Sequence, residues 1–336
     1  MTGRLVCFGE IMLRLSPPGR ELLLQTPKLD VWIAGAEANV ATALARLDHK
    51  VAMVSAVPDG PLGDAAVHAL RGHGVDVTGI ARRNGRMGLY IVTSGAGMRA
   101  TDVIYDRAGS AFAEAPAEAW DWGALLAGAS RLHLSGITPA LGPKGTASAL
   151  AAAAAATQAG VPVSFDGNWR GKLWEAWDGR PRETLSALVA QADILFGNHQ
   201  DVALLLDRHF SGDGAERRRE AAEAAFAAFP RLGLIVSTAR HVEDADRHRL
   251  AARIDTRERG FQTEAIILAG IVDRIGAGDA FASGVLHGLA ENLPLEEVAR
   301  AGLALAALKH SLPGDASLFT RRDLAAFIEG GLDVRR

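Results

Sequence analysis

Residues 273–281, Asp-Arg-Ile-Gly-Ala-Gly-Asp-Ala-Phe, place a carboxylate directly behind a glycine turn. The apolar run 265–272 reads as a buried strand, and Phe281, Val285 and Leu289 recur at helical spacing behind the turn. Gly276, Ala277 and Gly278 therefore sit at a helix N-terminus. Small residues there let backbone N–H groups approach an anion, and the positive end of the helix dipole favours negative charge. A carboxylate in such an anion hole repels a phosphate, unless it serves as the base that takes a proton from an attacking hydroxyl. Asp279 is the candidate base. An Asp in the first helical turn is also a common cap or dipole partner, so these nine residues alone leave both readings open.

Two other phosphate motifs are excluded. Gly276-Ala277-Gly278 begins a G-x-G-x-x-G pattern, but Phe281 stands where the third glycine belongs and the segment lies near the C-terminus rather than in a first βαβ unit. No G-x-x-x-x-G-K-[ST] occurs anywhere.

The elements that must position Asp279 follow from apolar runs at Leu5–Phe8, Val51–Val57, Arg131–Leu134, Val161–Phe165, Asp193–Phe196 and Leu234–Val236. Helical patterns at Ala36–Leu47, Leu62–Arg71, Pro143–Ala159, Thr184–Ala190 and Ala215–Ala228 alternate with them, and Leu295–Leu312 and Arg321–Ile328 close the chain. That alternation predicts an α/β fold with a mainly parallel sheet. Leu13–Ile33 and Arg86–Arg107 break the rhythm as extended, antiparallel pieces, the second turning through Ser94-Gly95-Ala96-Gly97. They read as a small β lid, which would keep water from a phosphoryl transfer.

Further candidates lie on these elements. The lid carries both tyrosines of the chain, Tyr90 and Tyr105, and period-two alternation puts Tyr105 and Arg107 on one face that could hold a polar substrate. Asp166-Gly167-Asn168-Trp169-Arg170 follows a strand end, where open α/β sheets bind ligands, and Arg170 can make a bidentate contact to a carboxylate or phosphate. Gly35 permits close approach at a helix start, and Asn39 can donate to and accept from sugar hydroxyls.

With 336 residues, 49% hydrophobic and 22% charged, the chain suits a soluble globular domain. A net charge of −3 gives no general attraction to nucleic acid or membranes, so an anionic ligand must be held by local positive groups. One cysteine, Cys7 in an apolar run, reads as a buried structural thiol. No signal segment opens the chain and no apolar run approaches the roughly 20 residues that span a bilayer, so a cytoplasmic location is expected. The histidines show no metal-ligand spacing. An exposed lid edge could pair with a second copy, so a homo-oligomer is expected.

Five segments, taken together, resemble the ribokinase-like, or PfkB, family of sugar kinases, and within it the 2-keto-3-deoxygluconate kinases. The closing signature D-T-x-G-A-G-D-x-F is similar to Asp273–Phe281, with Arg274 in place of threonine, and the early glycine-rich sugar motif resembles Ala34–Asn39. The segments Tyr105–Ala111, Leu132–Thr138 and Asp166–Arg170 select the acid-sugar branch. The resemblance covers nearly the whole chain as one domain, residues 1–336, and implies a ribokinase-like three-layer sandwich with a lid formed by about 13–33 and 86–107. It implies ATP-dependent phosphorylation of the terminal hydroxyl of 2-keto-3-deoxygluconate. Another sugar, such as fructose or a ribonucleoside, and a non-catalytic sugar-acid sensor are the alternatives.

Residue by residue, the resemblance makes Asp279 the base and Gly276, Ala277 and Gly278 the anion hole. Gly35, Asn39, Tyr90, Tyr105, Arg107, Arg170, Asp279 and Asp315 would hold the sugar acid; Asn168, Arg170, Ser237, Gly276 and Gly278 would meet ATP. Asn198-His199-Gln200-Asp201 resembles the family's N-x-x-E segment, with Asp201 ordering Mg2+ through water. The chain departs from the pattern after Val236. Many relatives carry a T-x-G-x-x-G turn there, whereas this chain reads Ser237-Thr238-Ala239-Arg240-His241-Val242, so that Ser237, Thr238 or Arg240 would reach phosphates by side chain.

Overall fold

Strands that are apolar on both faces must be covered on both faces, and the central sheet meets that demand with two helical layers. The computed structural model describes residues 3–211 and 214–330. Its strands are β1 (Arg4–Phe8), β2 (Met12–Ser16), β3 (Asp30–Ala34), β4 (Val51–Pro58), β5 (Ile80–Arg83), β6 (Gly88–Thr93), β7 (Asp102–Asp106), β8 (Ala129–Ser135), β9 (Val163–Asp166), β10 (Ile194–Phe196), β11 (Leu234–Asp244), β12 (Arg247–Asp255), β13 (Gly260–Gln262) and β14 (Ile266–Ala269). The main sheet has the order β5-β4-β1-β8-β9-β10-β11-β12-β13, with β14 also on β12. Every pairing from β5 to β11 is parallel, and the pairings of β12 are antiparallel.

Alternation along each strand feeds two cores. Val6, Phe8, Leu134, Phe165 and Leu195 pack under helices Pro143–Gln158, Pro181–Val189, His199–Leu206 and Gly214–Ala228. Cys7, Met53, Phe196 and Val236 pack under helices Ala36–Arg46, Pro61–Gly72, Ala277–Ala290 and Leu295–Lys309. The result is the expected three-layer sandwich. Cys7 is fully buried, and that burial pushes its thiol well above its ordinary pKa, as suits a packing residue rather than a nucleophile. Among the described residues no helix is long and apolar enough to cross a membrane.

Three readings of the sequence need correction. Residues 265–272 are not a buried strand entering the turn: β14 lies antiparallel on β12 with alternate residues half-exposed, and Val272 is exposed. An apolar run alone does not distinguish an edge strand from a central one. The strand read as Leu234–Val236 does not end there, and Ser237–Val242 belong to it. They continue β11 and pair with β12 from Arg253 to His248, because with no glycine to break it the strand keeps its ladder. The two extended segments 13–33 and 86–107 are not purely antiparallel; they contribute a second sheet of order β3-β2-β6-β7, in which two antiparallel pairs join through parallel β2 and β6.

Candidate active site

The C-terminal ends of the parallel strands converge where open α/β sheets bind ligands, and the turn before helix Ala277–Ala290 faces them. Gly276 is its N-cap in the left-handed region, φ 78°. A Cβ there would collide with the Asp315 carbonyl, so both conformation and space demand glycine. Gly278 has open space where a side chain would be, as a ligand-facing position should. The Ala277 amide donates to the Arg274 carbonyl at 3.3 Å, which leaves the later first-turn amides as the stronger anion donors.

Asp279 accepts a hydrogen bond from Asn39 Nδ2 at 2.6 Å on Oδ2. Its pKa lies well above the ordinary carboxylate range, because burial opposes the charge; the Asn39 bond works the other way, and Asp166, Asp315 and Glu37 add repulsion. Such a carboxylate holds a proton more strongly once it accepts one, which is what a base for an alcohol needs. Asn39 comes from the first turn of helix Ala36–Arg46, so its contact here is to the carboxylate rather than to open space.

The second sheet presents its polar residues already paired. Tyr90 is buried and its hydroxyl donates to Asp315 Oδ2; Tyr105, its cross-strand partner, is half-exposed and stacks on it at 6.0 Å between centroids. β7 ends at Asp106, and Arg107 turns inward, buried against Glu10 with Nη2–Oε2 at 2.6 Å. Asp315 is not a surface carboxylate: it is 5% exposed and receives Arg14 as well as Tyr90. Gly35 has φ 141°, and a Cβ there would strike the Glu10 carbonyl, so the close approach it permits is of one backbone to another.

On the other side of Gly278 lies a cavity of about 530 Å³. Its lining brings together Asn168, Arg170, Asp201, Ser237 and Gly278, five of the residues assigned to nucleotide and metal; Gly276 is not in its wall. Asp201 is half committed: Oδ2 accepts the Asn198 amide at 2.7 Å in a capping box that starts helix His199–Leu206. Asp166 lies in the same wall, with its pKa pushed up to about 7 by burial first and by Asp201 second, while Arg170 opposes the shift. Among the described residues Arg170 itself bonds to the Trp169 carbonyl alone, at 2.9 Å. Beyond it, burial first and Arg274 second lower the Arg240 pKa, which marks a local excess of positive charge.

Sequence reasoning missed three site residues. Arg14 in β2 binds Asp273 and Asp315, each at 2.6 Å, and so ties the second sheet to the glycine turn; its signal was an arginine inside the apolar alternation Met12-Leu13-Arg14-Leu15. Asp166 was visible only within the Asp166–Arg170 segment, and Asp273 only as the first letter of the signature. The structure also joins His49 and His287, whose ring nitrogens are 2.7 Å apart at the opposite end of helix Ala277–Ala290, near a Glu291 held by Arg321.

The chain is similar along nearly its whole length to known sugar kinases. The 2-dehydro-3-deoxygalactonokinase of Haloferax volcanii is 34% identical over 333 residues, 98% of each chain. The 2-dehydro-3-deoxygluconokinase of Bacillus subtilis is 30% identical over 98% of this chain and 97% of its own. The crystal structure of 2-dehydro-3-deoxygluconokinase from Thermotoga maritima superposes with a TM-score of 0.92 at 35% identity, covering 98% of this chain and 100% of that one. The family model for pfkB family carbohydrate kinases matches residues 2–320. Matched by that model over nearly its whole length, and with Asp279, a glycine turn and a strand-end cavity brought together, the chain belongs to the pfkB family of carbohydrate kinases.

Proposed function

We propose that this kinase transfers the γ-phosphoryl group of ATP to the terminal hydroxyl of 2-keto-3-deoxygluconate, with the galacto epimer as the nearest rival substrate. The observation that carries the reading is Asp279, held by Asn39 at 2.6 Å in the first turn behind Gly276. Asp279 takes the hydroxyl proton as that oxygen bonds to phosphorus and the bond to the ADP oxygen breaks. The first-turn amides meet the charge on the transferring group, and no covalent enzyme intermediate is needed. Substrate choice is supported by the relatives' acid sugars and by Arg170, which of the two assigned arginines is the one that forms no carboxylate ion pair among the described residues.

The cavity wall also fits Mg2+. Asp166 and Asp201 face one space and Asp201 raises the Asp166 pKa, an excess of negative charge that a hard cation relieves, with Asn168 and Asn198 as further oxygen donors. When bound with ATP, magnesium draws charge from the β- and γ-phosphates. Asp166 and Asp201 would hold it through water. A reaction that draws on ATP suits a cytoplasmic protein, and the half-exposed Val31, Ile104 and Tyr105 on the outer strands of the second sheet suit a second copy of the chain.

A coupled ADP-release assay with ATP and magnesium, offering 2-keto-3-deoxygluconate, its galacto epimer, gluconate, fructose and ribose, tests the reading. The first should be strongly preferred. Preference for fructose or ribose would move the substrate to a neutral sugar, and calorimetric binding of the acid sugar without turnover would replace the kinase by a sensor.

A further inference from the structure

Lys309 ends helix Leu295–Lys309 and is fully buried. Its ammonium donates to two backbone carbonyls, Leu312 at 2.9 Å and Asp273 at 3.4 Å, rather than to a carboxylate. Burying an ammonium costs several kcal/mol, roughly, before its partners offset it. An apolar side chain would fill the same space without that cost, so the charge has a use.

Its position identifies the use. Asp273 opens the glycine turn, and Leu312 precedes the loop whose Asp315 carbonyl lies against Gly276. The two segments are already stitched together: the His310 carbonyl accepts the amides of Val272 and Asp273 at 2.9 and 3.3 Å, and the Gly314 amide donates to Asp273 Oδ2 at 3.2 Å. Lys309 adds a positive charge at this seam: burial, the largest influence, lowers its pKa, Asp273, Asp315 and Asp279 nearby work against that loss, and Arg14 adds to it. Carbonyl oxygens arranged around a cation replace its hydration shell, and an ammonium and a potassium ion present similar demands to such a cage.

We propose that Lys309 is a built-in monovalent cation: its ammonium, held by the Asp273 and Leu312 carbonyls, keeps the anion turn in register and supplies fixed positive charge behind the transferring phosphoryl group, so that turnover needs no added potassium or ammonium. Lys309 is a positioning residue, acting through the turn rather than by touching substrate. The proposal deepens the phosphoryl-transfer reading and rests on it, but not on which sugar is phosphorylated.

The test compares wild type, Lys309→Met and Lys309→Ala in buffers whose monovalent cation is tetramethylammonium, potassium or ammonium at matched ionic strength. Wild-type turnover should be the same in all three. Lys309→Met should lower kcat by about 10- to 100-fold, the scale of a lost electrostatic contact in the site, with the KM for sugar little changed. Lys309→Ala leaves room for an ion, so potassium or ammonium should restore its turnover in a saturable way; tetramethylammonium should not. Ammonium chloride should also raise the Tm of Lys309→Ala and not that of wild type, a readout that needs no turnover. Wild type activated several-fold by potassium, a folded Lys309→Met with unchanged kcat, or Lys309→Ala with no cation-specific gain in turnover or Tm would each overturn the proposal. A wild type inactive on every sugar would overturn the kinase reading instead, while the melting comparison would still decide the carbonyl cage.

Discussion

The arginines of the cleft differ sharply between its two sides. Where the second sheet meets the glycine turn, Arg14 and Arg107 are buried and each is bound to carboxylate at 2.6 Å. In the strand-end cavity, Arg170 forms no ion pair among the described residues and hydrogen-bonds a neighbouring carbonyl, and outside that cavity's lining Arg240 and Arg274 repel one another. Buried ion pairs add little net stability but are costly to break, so they serve to hold a unique register. Unpaired surface arginines keep their charge available for an incoming anion. One side has its charges matched within the fold, and the other leaves positive charge unmatched.

Removing one partner on the built side should have the largest effect. Arg107→Ala leaves Glu10 buried without its cation and should lower stability by about 3–5 kcal/mol in denaturant unfolding; an unchanged unfolding midpoint would show that the pair does not hold the sheet and would dissolve the contrast. Asp279→Asn should keep ligand binding and lower kcat by at least about 100-fold, the scale of a lost general base, as measured by ADP release. Wild-type turnover in that variant would remove the base assignment.

Arg170→Ala should raise the KM for the acid sugar by about tenfold and change any neutral sugar less, on the scale of one charge-assisted hydrogen bond. If only the KM for ATP moves, Arg170 serves the phosphates alone. The smallest effect concerns pH. Asp166 is pushed up to about 7 in the fold, so its contribution to stability is fully present below the ordinary value of 3.8 and is lost as pH rises through about 7. Asp166→Asn should therefore raise the Tm of the ligand-free protein at pH 8 and not at pH 4, as read by thermal melts; equal shifts at both would trace the effect to packing instead of charge.

The alternation of apolar runs and helical patterns was enough to read the layered α/β architecture, since a strand buried on both faces has to be apolar throughout. The turn before Asp279 was legible for a similar reason: a tight, left-handed helix start against another backbone demands glycine at its cap. The bounds of the edge were not. Ile266–Ala269 is as apolar as a central strand, and only its pairing to β12 shows that half of it faces water. The missing glycines after Val236 signalled the absence of a turn without saying that a paired strand would continue in its place.

Side-chain chemistry at the site followed the same division. Residue types and short spacing within the sequence determined that Asp279 would stand behind a small-residue turn and that Asp166 and Arg170 would end a strand together. Glu10 and Arg107 are 97 positions apart, Asn39 and Asp279 are 240 apart, and Arg14 and Asp315 are 301 apart. Whether an arginine is spent on a carboxylate or left for a ligand depends on which distant acid arrives beside it, and that is decided by chain topology and burial, which bring the partners together and remove the water that would otherwise weaken their choice.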